Sequence, residues 1–141
     1  MTLMNAIEVG ASGLTAQRKR LEVLISNLVN AQTTKPPGVE PFRRKDVLFN
    51  AVEPAQSFGS VFDEASKGVE ISEIVTDRSD PIRRYEPGHQ HADKDGYVLY
   101  PNINPMGEMV NVLSATRSYE ANLQAVNQAK KMQEKTLEIL K

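Results

Sequence analysis

The 141-residue chain has no cysteine, no tryptophan and only two histidines, and aromatics make up 6% of it. Without cysteine it forms neither disulfides nor thiolate metal sites, and redox chemistry leaves its compartment open. Four Phe and four Tyr argue against a large globular core. No apolar run approaches the roughly 20 residues needed to span a bilayer. The N-terminal stretch MTLMNAIEVGASGLTAQRKR lacks a basic start followed by an apolar segment, so no cleaved secretory signal is expected. A net charge of −1 supplies no global field towards nucleic acid or an anionic membrane. Walker and dinucleotide-binding glycine patterns are missing too. What remains, 25% charged and 40% apolar, suits a single domain or a domain with a small insert.

The ends of the chain carry helical patterns. Ile7, Leu14, Leu21 and Leu28 recur every seven residues, and Leu3, Leu24, Ala11 and Ile25 flank that row. This spacing predicts a helix over roughly residues 3 to 33 with a narrow seam facing another helix. Thr2 is a candidate N-cap. Pro36-Pro37-Gly38 stops the helix, because proline lacks an amide donor and restricts the residue before it. Near the other end, Asn104-Pro105 reads as an N-cap followed by proline at the first helical position, with Glu108 in the first turn. Val112, Tyr119, Val126 and Leu140 then recur in sevens, with Gln133 interrupting, and Met109, Leu113, Leu123 and Leu137 form the neighbouring row.

Between the helices the period changes. FRRKDVLFN, GVEISEIV, IRRYEP and GYVLYP are short, rich in β-branched and aromatic residues, and bounded by Gly, Pro or Asp. They read as strands. Glu86-Pro87-Gly88-His89 suits a type II turn and Asp95-Gly96 a further turn. Residues 50–68 have no clean period and read as a mobile loop.

The expected fold is α+β: long N- and C-terminal helices in an antiparallel, coiled-coil-like pair, with a small β-rich insert between them. Residues 1–34 would supply the first helix of a core domain, 35–103 the insert and 104–141 the second helix. Such a pair covers one stripe per helix. It leaves Ala11, Ile25, Leu113 and Met132 partly exposed, and four short strands are few for independent stability. A chain of this kind is marginal alone and completed by assembly. The expected assembly seam comprises Ile7, Leu14, Leu21 and Leu28 on one helix. On the other it comprises Met109, Val112, Tyr119, Leu123, Val126 and Leu137.

The remaining motifs favour plain readings. His89, His91, Asp93 and Asp95 alternate in HQHADKD, but no other histidine exists and a zinc site normally needs three rigid protein ligands. A solvated loop is the better account. Gly10, Ser12 and Gly13 lie inside a helical pattern, unlike a nucleophile elbow, and small residues there let another helix approach closely. The short basic clusters at 18–20, 43–44 and 83–84 have acidic neighbours, which weakens a nucleic-acid reading. Amides crowd the end of the first helix and fill the second. In an antiparallel pair Asn27 and Asn30 would approach Asn111, Ser114 and Arg117. Asn27, Asn30, Arg117 and Asn122 are therefore expected to fix register and partner choice.

These residues resemble a family. GASGLTAQRKRLEVLISNLVNAQTT is similar to the N-terminal signature of bacterial flagellar rod and hook proteins. GEMVNVLSATRSYEANLQAVNQAKKMQEKTLEIL is similar to their C-terminal signature, with Arg-Ser-Tyr-Glu-Ala-Asn at 117–122. Residues 85–110, YEPGHQHADKDGYVLYPNINPMGEMV, resemble the FlgC family of proximal-rod subunits. Gln90 stands where that family often has proline, and Val29 where alanine is common. The resemblance implies a structural subunit exported without a cleaved signal by the flagellar type III apparatus. It would assemble with itself and other rod proteins, above the membrane-ring base, into the periplasmic drive shaft that carries torque to the hook. No cofactor, metal, nucleic acid or small-molecule substrate is implied, and no enzymatic activity. Two other readings fit the residues less well: a soluble helical adaptor that binds one partner through its seam, and a small metal-dependent enzyme using residues 89–95.

Overall fold

The computed structural model describes residues 3–52 and 67–139. Helix α1 spans Leu3–Asn30 and helix α2 spans Pro105–Ile139. At 1.5 Å per residue they are about 42 and 52 Å long. The expected N-cap, Thr2, lies outside the described residues. α1 ends three residues earlier than its pattern suggests. There Ala31 N–H turns to Leu28 O at 3.3 Å and Thr33 N–H to Asn30 O at 3.1 Å, the tighter bonding of an unwinding end. Asn30 Nδ2 donates to Ser26 O at 2.8 Å, one turn back along its own helix. α2 starts where the sequence places it. Asn104 Oδ1 accepts from Met106 N–H at 3.1 Å and Gly107 N–H at 3.3 Å, so two orphan donors of the first turn are capped.

The helices pair antiparallel. Asn27 meets Glu108, and further along a Cβ on Gly13 would meet Asn122 and one on Gly10 would meet Val126. This register holds along the pair. The fully covered stripe is Ala16, Val23, Leu24 and Asn27 on α1, and Glu108, Ala115, Val126 and Ala129 on α2. Apart from the adjacent Val23 and Leu24, its steps of 3, 7 and 11 residues each return to one face of a helix. Leu24 and Val98 are the only large apolar side chains fully buried among the described residues. The core is correspondingly thin.

All four strand segments form. β1 (Lys45–Val52) pairs antiparallel with β2 (Gly68–Thr76), and β3 (Ile82–Tyr85) with β4 (Tyr97–Tyr100), as two separate ribbons. Leu48 faces Glu73 while Phe49 faces Ile71, which leaves Ser72 as a bulge. The segment 50–68 begins in β1 and re-enters at β2, and its residues 53–66 lie outside the described residues. The Glu86–His89 turn closes with His89 N–H on Glu86 O at 3.0 Å. It is not type II, because Gly88 lacks the left-handed φ that type II requires. Gly38 and Gly96 carry that φ instead, at 87° and 82°.

α1 lies along the β1–β2 ribbon. Ser12 Oγ accepts from Val69 N–H at 3.0 Å, and Asn27 holds Lys45, the partner of Thr76. From Ser12 to Asn27 the helix rises about 22 Å, and from Val69 to Thr76 a strand runs about 23 Å. The matching lengths let one helix clamp both ends of the ribbon.

Candidate assembly interface

At the base of the ribbon α1, α2 and β1 converge on a buried polar junction. Asn27 has no solvent exposure and its amide grips one residue's backbone from both sides. Lys45 N–H donates to Asn27 Oδ1 at 2.9 Å, and Asn27 Nδ2 donates to Lys45 O at 2.7 Å. The amide thereby stands in for a neighbouring strand at the free edge of β1. Asn27 Nδ2 also donates to Glu108 Oε2 at 3.2 Å. The other Glu108 oxygen accepts from Arg44 Nε at 2.7 Å, and Arg44 Nη1 reaches Asp46 Oδ2 at 3.2 Å. The hydrogen bond to Glu108 holds the Arg44 guanidinium above its ordinary pKa. Glu108 is 3% exposed, and both of its carboxylate oxygens are hydrogen-bonded, as burial of such a group requires.

The polar residues singled out in the sequence therefore separate. Asn27 sits at the junction, with Glu108 and the Lys45 backbone as partners rather than Arg117. Asn30 bonds within α1. Asn122 lies against Gly13. Arg117 is exposed, roughly two and a half turns along α2 from Glu108. The expected approach of Asn27 and Asn30 to Ser114 and Arg117 does not occur, because the register brings Glu108 to Asn27. Sequence reasoning missed Arg44 and the buried role of Glu108. An arginine, a glutamate and an asparagine far apart in the chain carry no local signal of meeting.

The expected seam also divides. Ile7, Leu14, Leu21 and Leu28 are half-buried and flank the covered stripe. On α2, Val126 is buried, and Val112 and Tyr119 are half-buried. Met109, Leu123 and Leu137 are exposed and take no part in the covered contact between the two helices. Gly10 and Gly13 explain the shift, since without side chains they let Val126 and Asn122 approach. The faces turned away from that contact stay bare. Ile25, Val29, Met106, Val110, Leu113 and Met132 are all exposed, Val29 by 71% and Met106 by 70%.

The second ribbon is held by local polar chemistry. Arg83 stacks 4.7 Å over the Tyr97 ring, and Arg84 stacks 4.9 Å over Tyr100. Tyr100 O–H donates to Glu86 Oε2 at 2.9 Å, which raises the Tyr100 pKa. In the histidine loop, His89 Nδ1 accepts from His91 N–H at 3.0 Å, and His91 Nδ1 contacts Thr34 Oγ1 at 2.8 Å. Asp93 Oδ1 accepts from Asp95 N–H at 2.9 Å and Tyr97 N–H at 2.8 Å, so it shapes the turn. Among the described residues no three His, Cys, Asp or Glu side chains converge as metal ligands.

Comparison with known proteins adds what geometry alone does not. Residues 7–36 match the family model for flagella basal body rod proteins. Residues 94–139 match the model for the C-terminal region of the flagellar basal body rod FlgEFG proteins. The chain is 41% identical over 138 residues to the flagellar basal-body rod protein FlgC of Salmonella typhimurium, covering 97% of both chains. It is 42% identical over 150 aligned positions to FlgC of Bacillus subtilis, covering 99% of both. Against FlgC of Borreliella burgdorferi the identity is 36%, again with 99% of both chains covered.

Proposed function

The chain belongs to the FlgC family of flagellar basal-body rod proteins and is a structural subunit of that rod; on this premise we propose that it builds the proximal rod through its two terminal helices. In this reading the pair stands in the wall of a helical tube that carries torque from the motor's membrane ring to the hook. The β1–β2 ribbon, clamped to α1 at Ser12 and Asn27, projects as a rigid outer element. The chain assembles with itself and other rod proteins, contacts the membrane-ring base, and reaches the periplasm through the flagellar type III apparatus without a cleaved signal. No bond chemistry is assigned to it.

One observation carries the proposal: both helices keep large apolar side chains exposed on the faces turned away from each other. An isolated pair gains nothing from those residues, whereas a wall of adjacent helices buries them. The Ile7–Leu14–Leu21–Leu28 row, already half-covered, completes its burial in the same wall, together with Met109 and Leu123 on α2. No helix among the described residues is long and apolar enough to cross a membrane.

The test is fractionation. The chain should co-purify with intact basal bodies after detergent stripping. Leu21→Asp should abolish incorporation while the ribbons stay folded, because it puts a charge into a half-buried helix face. Normal swimming by Leu21→Asp cells would refute the seam assignment.

A further inference from the structure

The outer face of α1 is a continuous exposed row with steps of roughly three and four residues. It runs Glu8, Ala11, Thr15, Arg18, Glu22, Ile25 and then Val29. α2 has a row of the same kind, in which Val110, Leu113, Arg117, Glu120, Gln124 and then Asn127 and Lys131 are all exposed. Each row lies roughly half a turn round its helix from the residues that bind the two helices together. One molecule therefore presents the two rows on opposite sides and cannot pair them itself.

We propose that the outer row of α1 on one copy packs antiparallel against the outer row of α2 on a second copy, in one defined register. This deepens the rod reading and rests on it. In that register Val29 meets Val110 and Ile25 meets Leu113, so the uncharged ends coincide. Glu22 meets Arg117, Arg18 meets Glu120 and, further along, Glu8 meets Lys131, three pairs of opposite charge. Between them Thr15 meets Gln124 and Ala11 meets Asn127.

The neighbouring registers fail. At the level used inside one molecule, Arg18 would face Arg117 and Glu22 would face Leu113. One turn the other way, Glu22 would face Glu120 and Glu8 would face Glu134. A parallel arrangement cannot align the apolar ends and the charges together. Arg117, Glu120, Glu8 and Lys131 make no ion pair among the described residues. Glu22 is held by Lys19 at 3.0 Å and Arg18 at 3.6 Å, both solvent-exposed contacts that exchange at little cost. Such surface pairs add little affinity, so their work here is to select the register, while the uncharged ends supply the burial.

The favoured register lies about three residues, or about 5 Å, from the register inside one molecule. The interface joins two different patches, so it does not close on itself as a two-fold dimer. Each added copy stands beside the last and is displaced along the helix axis, so the row climbs as a helix instead of closing as a flat ring.

The chain's lack of cysteine makes the test clean. In concentrated purified protein, oxidised V29C/V110C should give a ladder of dimers, trimers and longer species on non-reducing gels. V29C/M106C, the register inside one molecule, should give at least fivefold less. Arg117→Glu and Glu22→Arg should each lower self-association at least tenfold, and E22R/R117E in one chain should restore it. Residues 22 and 117 are on opposite sides of the molecule, so restoration requires contact between copies. The proposal is overturned if V29C/V110C gives no ladder, if V29C/M106C cross-links better, or if the charge swap does not restore association. Wild-type chain recovered in basal bodies alongside those results would leave the rod reading standing. A ladder from a chain absent from basal bodies would overturn the rod reading and leave this interface intact.

Discussion

Asn27 Nδ2 and Glu108 Oε2 lie 3.2 Å apart where α1, α2 and β1 converge, and every polar atom of that amide is used. Asn27→Leu keeps most of the volume but strands Lys45 N–H, Lys45 C=O and one Glu108 oxygen. A buried group left unsatisfied costs about 1–3 kcal/mol, so the expected loss is about 3 kcal/mol. Urea denaturation followed by circular dichroism measures it, and a loss under about 1 kcal/mol would show that water replaces the amide.

The Arg44–Glu108 pair should behave asymmetrically. Glu108→Leu leaves a guanidinium that is still 26% exposed on its side chain, whereas Arg44→Met leaves a carboxylate that is only 4% exposed. Arg44→Met should therefore cost more, by about 1–2 kcal/mol, since an uncompensated buried charge is the larger penalty. The double variant should be less destabilised than the sum of the two singles, as a double-mutant cycle of chemical denaturation will show.

Gly10 and Gly13 should respond differently to alanine. A Cβ on Gly10 would lie 2.5 Å from Val126 Cγ2, on a short branched side chain. A Cβ on Gly13 would lie 2.8 Å from Asn122 Nδ2, the free end of a side chain that can swing aside. Overpacking costs about 1–3 kcal/mol and alanine returns about 1 kcal/mol of helix propensity. Gly13→Ala should be near neutral and Gly10→Ala destabilising. Val126→Ala added to Gly10→Ala should recover part of the loss of melting temperature.

Two glycines in one loop should likewise part company. Gly96 has φ +82°, and a Cβ there would lie 2.9 Å from Tyr85 Cε2. Gly88 has no such φ and open space around it. Gly96→Ala should cost about 1–2 kcal/mol, through left-handed strain and displacement of the Tyr85 ring. Gly88→Ala should change stability by under about 0.5 kcal/mol. Amide exchange of β3 and β4 reports both.

Glu22 should titrate below the ordinary carboxylate value, chiefly because Lys19 donates a hydrogen bond to it, with Lys19 and Arg18 charges adding. A carboxylate depressed in the folded state contributes stability above its unfolded pKa and loses it as pH falls through the folded value. Lys19→Met should move the Glu22 midpoint back up in an NMR titration. The stability effect should be small, because the pair is exposed.

Much of this was legible along the chain. Seven-residue periodicity, the Asn104-Pro105 start and the Pro36-Pro37 stop are local signals, and they place both helices to within a few residues. Alternation and turn residues place all four strands for the same reason. The small residues at 10 and 13 announced a close helix approach, although not what would approach. The turn at 86–89 went wrong because Pro-Gly permits type II without requiring it, and the observed turn is closed by the His89 amide with Gly88 at ordinary φ.

The sequence by itself determined the element order, the antiparallel helix pair and the fact that such a pair leaves apolar residues uncovered, because propensity and periodicity act between near neighbours. Only the tertiary structure decided which face of each helix is spent inside the molecule. That choice turns on glycines that bring α2 in over Gly10 and Gly13 and on a register set by Asn27, Lys45, Arg44 and Glu108. The pairs bonded there are 18 to 81 residues apart in the chain. Their geometry exists only once the helices and the ribbon have met.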